Sequence, residues 1–188
     1  MTCNRETKMA LPGVPQTFAI ESARDLTDKL WWSIEEYRTE PELQPKLWRA
    51  YDCAVTAWHI SDWIWRERSE AGLDVGTVTA FQNSLQAQSR VLRLCKYIAT
   101  ASKHAGVDRK QDPTIEVTVT PKPSNVEVES SNFSLVDRSQ DWDIIISDSH
   151  GTMDALAVFY AAQTFWEAEV FRDERRQDPG RFQPEPEV

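Results

Sequence analysis

Residues 45–71 read PKLWRAYDCAVTAWHISDWIWRERSEA, with proline only at the first position and no glycine until Gly72. Inside a helix, glycine costs about 1 kcal/mol and proline about 3 kcal/mol. Proline is tolerated at the first helical position, and a following glycine ends a helix well. The stretch is therefore read as one helix, Pro45 to Ala71. Leu47, Tyr51, Ala54, Trp58 and Trp65 form one stripe at helical spacing, while Val55, Ile60, Trp63 and Ile64 lie on other faces. A helix apolar nearly all round is buried on several sides or enters a subunit interface. This segment is thus the expected centre of the fold, and its excess apolar circumference points to a C2 homodimer.

Outward from that helix, the other windows free of glycine and proline read the same way. Thr17 to Arg38 places Phe18, Leu26, Leu30, Trp31 and Ile34 at helical spacing and stops before Pro41. Thr77 to Ala105 carries Phe81, Leu85, Leu92, Cys95, Ile98, Ala99 and Ser102 and closes at Gly106. Thr152 to Arg176 aligns Leu156, Phe159, Ala162, Trp166 and Val170. Between the third and fourth helices the period changes to two. Ile115, Val117 and Val119 alternate with Glu116, Thr118 and Thr120, Val126 and Val128 alternate with Glu127 and Glu129, and Trp142 to Ile146 is a further strand. After Ser130-Ser131-Asn132 the apolar phase slips to Phe133 and Leu135, which marks a turn or bulge. Short sequential connections favour an antiparallel meander.

The expected architecture is α+β and mainly α. It is an antiparallel four-helix bundle with a three- to four-stranded antiparallel sheet inserted between helices three and four at 114–147. A single domain over 16–177 lies between flexible ends, 1–15 and 178–188.

Composition limits the function classes. The 188 residues are 40% apolar and 27% charged, as in a globular protein, and the net charge of −9 argues against a protein that coats nucleic acid with its whole surface. The longest uncharged stretch, Val75 to Ser89, is too polar to cross a bilayer, and Arg5, Glu6 and Lys8 are unlike a secretory leader. Cys3, Cys53 and Cys95 form no CxxC pair and are expected to be reduced thiols in the cytoplasm. Phosphate-loop, dinucleotide, nucleophile-elbow and HExxH motifs are absent, and no histidine has the Glu-x-x-His partner of a di-iron bundle. No cofactor and no metal centre are expected.

Two features carry candidate chemistry. His59 and Asp62 stand at i, i+3 within Trp58-His59-Ile60-Ser61-Asp62-Trp63 and share a helix face, with Arg66 four residues further. A carboxylate beside an imidazole fixes its tautomer and suits proton transfer; the alternative is a polar pair that satisfies itself in a bundle. His150, just before Gly151, reads as part of a capping loop. The second feature is a basic run. Residues 90–110 hold six Lys/Arg, at 90, 93, 96, 103, 109 and 110, against one acid, Asp108; the rest of the chain holds fifteen against twenty-nine. Arg93, Lys96 and Lys103 are therefore candidate phosphate or RNA contacts, and His104 with Lys103 the centre of such a site.

Ala57-Trp58-His59-Ile60-Ser61-Asp62-Trp63 late in one helix and Ile98-Ala99-Thr100-Ala101-Ser102-Lys103-His104 at the end of the next resemble small bacterial bundle proteins related to the HEPN superfamily. The resemblance spans about residues 45–106. It implies an antiparallel, commonly dimeric helix bundle of the kind found among toxins, phage-defence and RNA-processing proteins. Catalytic members resemble one another in an Arg followed by four to six residues and then a His. Here Arg93 precedes His104 by eleven positions, about 16 Å along a helix. The expectation is a non-catalytic dimeric module with a protein or RNA partner and no membrane. The alternative is a metal-independent RNA-binding protein or ribonuclease using His104 and Lys103, aided by His59 and Asp62.

Overall fold

The computed structural model describes residues 20–103, 114–122 and 141–177. Its order is α1 (Ala23–Thr39), α2 (Leu43–Glu70), α3 (Val78–Gln88), α4 (Arg90–Lys103), β1 (Glu116–Pro121), β2 (Trp142–Asp148), β3 (Gly151–Asp154) and α5 (Ala155–Gln177). The mainly helical chain with a small antiparallel sheet is the coarse architecture read from the sequence. Among the described residues five helices stand where four were expected, and the sheet extends past the predicted 114–147 boundary to Asp154. The strand readings at 126–129 and 133–135, and the two chain ends, lie outside the described residues.

Local chemistry sets the helix starts. Ser22 and Asp25 form a reciprocal capping box, with Asp25 N donating to Ser22 Oγ (3.1 Å) and Ser22 N donating to Asp25 Oδ2 (2.9 Å). From the far end of α2, Glu67 Oε1 accepts from Ala23 N at 2.6 Å, so α1 is also capped by its neighbour. Thr77 Oγ1 caps α3. The third helix breaks at Ser89, whose backbone is extended (φ −134°, ψ 110°) and whose hydroxyl accepts from Leu92 N to begin α4. The break is sharp. Gln86 and Lys96 would be roughly 15 Å apart along a continuous helix, yet Lys96 Nζ donates to Gln86 Oε1 at 2.9 Å.

Cross-links fix the packing. Arg49 with Glu36, Lys29 with Thr56 and Glu67 with Ala23 run in opposite order along α1 and α2, so the hairpin is antiparallel. Arg24 with Glu174 and Tyr160 with Glu35 set α5 antiparallel to α1. Leu30 and Ile34, Ile60 and Ile64, Leu92 and Leu94, Val158, Phe159 and Trp166, and Ile144 and Ile146 from β2 are all fully buried together. The core face of α2 is Ala50, Cys53, Ala54, Ala57, Ile60 and Ile64. It is a stripe of mostly small side chains rather than the large-residue stripe expected from the sequence. Trp166 fills the space they leave, and its indole N–H donates to the Ala57 carbonyl at 2.7 Å in a buried site.

The sheet order is β1-β2-β3, antiparallel throughout, with Val117 opposite Ile146 and Val119 opposite Ile144. A two-residue loop, Ser149-His150, joins β2 to β3, and Gly151 takes φ +112°, a conformation glycine adopts without Cβ strain. Helix α5 begins only after Asp154, whose Oδ1 accepts from Leu156 N (2.8 Å) and Ala157 N (3.4 Å). This is why residues 152–154, read as helix from the sequence, are strand.

Replacing Trp166 by Phe removes a buried donor and leaves a void against the α2 stripe. The variant should lose about 2 kcal/mol in urea unfolding, and a loss within experimental error would contradict the keystone role of that indole.

Candidate functional site

The first candidate pair stays together. His59 and Asp62 lie on the outer side of α2 and are exposed. They attract each other electrostatically without a direct hydrogen bond, and His59 has no hydrogen-bond partner among the described residues. Asp62 is instead held by α3, where Gln82 Nε2 donates to Asp62 Oδ1 (2.7 Å) and to Ser61 Oγ (3.2 Å). Ser61 Oγ in turn donates to the Trp58 carbonyl. Partial burial under α3 raises the Asp62 carboxyl above the ordinary carboxylate range, and the nearby His59 and the Gln82 amide pull it partly back. The arrangement is a surface polar cluster that tethers α3 to α2. It places one imidazole near one carboxylate without orienting it.

The second candidate group is divided. Arg93 Nη2 donates to Asp148 Oδ2 at 2.7 Å, and Arg90 grips the same carboxylate with two bonds of 2.6 and 3.1 Å. Arg90 also reaches the Gly151 carbonyl (2.7 Å), and His150 N donates to Asp148 Oδ1 (2.8 Å). The Asp148 side chain is wholly buried and is held far below the usual carboxylate range, chiefly by its hydrogen bond with Arg90. Arg93 thus fastens the β2–β3 hairpin to α4, and His150 contributes its backbone to that turn. Lys96 is spent on Gln86 and lies over the Trp58 ring, 5.7 Å from its centre. Lys103 is the last residue of α4, and His104 lies outside the described residues.

Other fastenings escaped sequence reasoning. Arg68 on α2 binds Asp173 and Glu169 on α5, both at 2.7 Å, with all three side chains largely buried. Lys46, nearly fully buried, donates to the Glu40 carbonyl (3.1 Å) and to Asp141 (3.3 Å), while Lys122 takes the other Asp141 oxygen at 2.7 Å. The side-chain partners stand 19 to 105 residues apart, beyond any local pattern, and the Glu40 carbonyl alone is near Lys46 in sequence. Cys53 and Cys95 are free and buried, and burial pushes both thiols up to about 12, which leaves them inert as nucleophiles near neutral pH. Among the described residues no group of three or more His, Cys, Asp or Glu is placed to hold a metal ion. Also among them, no helix is long and apolar enough to cross a membrane.

The aromatic residues divide sharply. Helix α2 is covered by α1, α3, α4 and α5 of its own chain, and Trp58 is buried. The apolar circumference that suggested a partner is therefore largely used within the chain. The exposed tryptophans among the described residues lie on the α1–α2 hairpin instead, with Trp31, Trp32 and Trp48 exposed by 52, 57 and 62%. Trp31 does not belong to the buried stripe in which the sequence reading placed it. It follows Leu30 by one residue, about 100° around the helix from the Leu30–Ile34 face.

Comparison with protein families, curated proteins and solved structures finds no match to this chain.

Two outcomes test this geometry. Asp141 is held down to about 2, first by the Lys122 hydrogen bond. A depressed carboxylate stabilises the fold while it is ionised, so this contribution is complete above the ordinary value of 3.8 and is lost as pH falls through about 2. Thermal melts should therefore drop over that interval, and Asp141→Asn should flatten the drop. For the α2–α3 cluster, carbon-detected titration should find the Asp62 carboxyl above its ordinary value. Gln82→Ala should raise it further by removing a donor to the charged form, and an unchanged midpoint would contradict the tether.

Proposed function

We propose that the chain is a non-catalytic interaction module that pairs with a second copy of itself through Trp31, Trp32 and Trp48. The observation that carries this reading is the exposure of three tryptophans, each by more than half, beside a core that is already filled. Tryptophan is the residue most enriched at the energetic centre of interfaces, because one rigid side chain buries a large apolar area. Trp31 and Trp32 lie between the Lys29–Thr56 and Glu36–Arg49 cross-links, and Trp48 adjoins Arg49, so all three belong to one segment of the hairpin.

Charge supports a second copy as the occupant despite the acidity of the chain. Three carboxylates of this segment are matched at home, Glu35 with Arg38, and Glu36 and Glu40 with Arg49, which leaves Asp28 and Asp52 as its exposed acids. Pairing the three at home lowers the like-charge repulsion that two approaching copies would meet here. The engagement of Arg93 by Asp148 and of Lys96 by Gln86 also favours a binding role over phosphate chemistry. Dimerisation agrees with what the HEPN resemblance implies, and a place in a bacterial toxin or phage-defence system belongs to the same proposal.

Light scattering coupled to size exclusion at tens of micromolar should give twice the 21.6 kDa chain mass. Trp31→Ser/Trp32→Ser/Trp48→Ser should run as a monomer with an unchanged circular dichroism spectrum, since none of the three supports the core. A wild-type chain at 21.6 kDa would overturn the proposal.

A further inference from the structure

Helix α5 ends in a basic strip that contrasts with the acidity of the chain. Ala168, Phe171, Arg172, Arg175 and Arg176 line a shallow, open hollow of about 410 Å³. At 100° per residue they share one side of the helix, with the small Ala168 near its centre. Phe171 is exposed by 43%, and the Arg175 guanidinium lies 5.7 Å from the centre of its ring. The Arg172 and Arg176 side chains are each more than half exposed. Cations in the last turn favour the helix dipole, which accounts for Arg175 and Arg176. Arg172 and Phe171 stand before that turn, so the dipole does not account for them.

The strip stays positive after its own ion pairs are counted. Glu169 takes both Arg172 and Arg68, while Asp173 takes Arg68 at 2.7 Å and Arg176 only at 3.6 Å, beyond hydrogen-bond length. Arg175 meets no carboxylate among the described residues and lies over Phe171 instead. Four guanidiniums thus share two carboxylates, both largely buried. Acids return on either side: Glu167 and Glu174 toward α1, where Arg24 meets them, and Glu67 and Glu70 at the end of α2. The positive strip is therefore narrow, and from residue 168 to 176 it runs only about 12 Å. Screening confines its attraction to about 8 Å, within a chain of net charge −9. An extended polyanion, whether nucleic acid or an anionic membrane, would lay its charge over the flanking acids. A short acidic segment would not.

We propose that this strip docks a short acidic segment of a partner protein, its carboxylates on Arg172, Arg175 and Arg176 and one apolar side chain in the hollow over Ala168. At about 3.3 Å per residue, an extended segment of about four residues matches the length of the strip. The planar guanidinium fork suits carboxylates, and Glu169 already engages Arg172 from within the chain. Phe171 supplies the apolar wall, and aromatic and arginine side chains together are what interface centres favour. The strip shares no residue with the tryptophan segment. Its end adjoins Arg24, seven residues or about 10 Å along α1 from Trp31. A chain that proves monomeric can still bind the segment, and a dimer can fail to.

The test is a titration of the full chain with the capped peptide Glu-Glu-Leu-Glu, followed by the arginine Nε–H resonances in NMR. Those of Arg172 and Arg175 should shift along saturable curves while those of Arg38 and Arg90 stay fixed. Binding should weaken at least about fivefold between about 50 and about 300 mM NaCl, because exposed charges are screened. Serine in place of the peptide leucine should weaken it at least about threefold through lost apolar burial. Arg172→Glu/Arg175→Glu should weaken it at least about tenfold by putting like charges against the peptide. Ala168→Glu, at an exposed position outside both ion pairs, fills the hollow with a carboxylate and should act the same way, should the first variant disturb Glu169. Shifts that do not saturate, unchanged binding in a folded variant, or tighter binding of oligouridylate or of phosphatidylserine vesicles would each overturn the proposal.

Discussion

The fold depends on how closely α5 can approach α2, and that distance is set by what α2 leaves out. Ala50, Cys53, Ala54 and Ala57 present little more than a methyl or thiol each, so the Trp166 ring can lie against the α2 backbone and donate to the Ala57 carbonyl. That carbonyl has a second lone pair beyond the one used by its own helix, so the indole adds a bond without breaking one. Had α2 carried leucines there, α5 would stand further off. The Arg68–Glu169–Asp173 fastening at the far end could then not close at 2.7 Å. Around this axis α1 and α4 are antiparallel neighbours of α2, and the sheet lies against the start of α5, its β2–β3 turn held to the first turn of α4 by Arg90 and Arg93.

Ion pairs serve as joints more than as sources of stability. Four joints tie elements distant in sequence: α1 to α5 by Arg24 and Glu174, α2 to α5 by Arg68, α4 to the hairpin by Asp148, and the start of α2 to the start of β2 by Lys46 and Asp141. Removing one partner of a buried pair leaves a charge without compensation, which costs more than the intact pair contributes. Much of the acidity in the composition is matched in this way, which is why a net charge of −9 is compatible with a tightly packed domain.

The sequence is legible where the physics is local. Glycine and proline placement marks the helical windows because backbone cost acts residue by residue, and the change from period 3.6 to period 2 places β1 and β2. Ser89 is hidden because serine weakens a helix only slightly, and its cap competes with continuation on nearly equal terms. β3 is hidden because four residues pair through a two-residue turn, too short for periodicity to register. Trp31 misleads because apolar character and burial part company when two tryptophans are adjacent, one helical step off the core face. In the candidate site, the nearness of His59 and Asp62 is legible from i, i+3 spacing. The diversion of Asp62 to Gln82 and of Arg93 to Asp148 is not, since both partners come from other elements 20 and 55 residues away.

The last described helix closes the bundle, and 51 residues separate Lys103, the end of α4, from Ala155, the start of α5. At a synthesis rate of about 5–20 residues per second, that interval lasts on the order of 3–10 s. Throughout it the α2 stripe has no Trp166 to cover it, and Arg68 has neither of its carboxylates. A nascent chain of this design therefore dwells with its central helix uncovered on one side. Until α5 is made, that groove stays open to water and to other apolar surfaces.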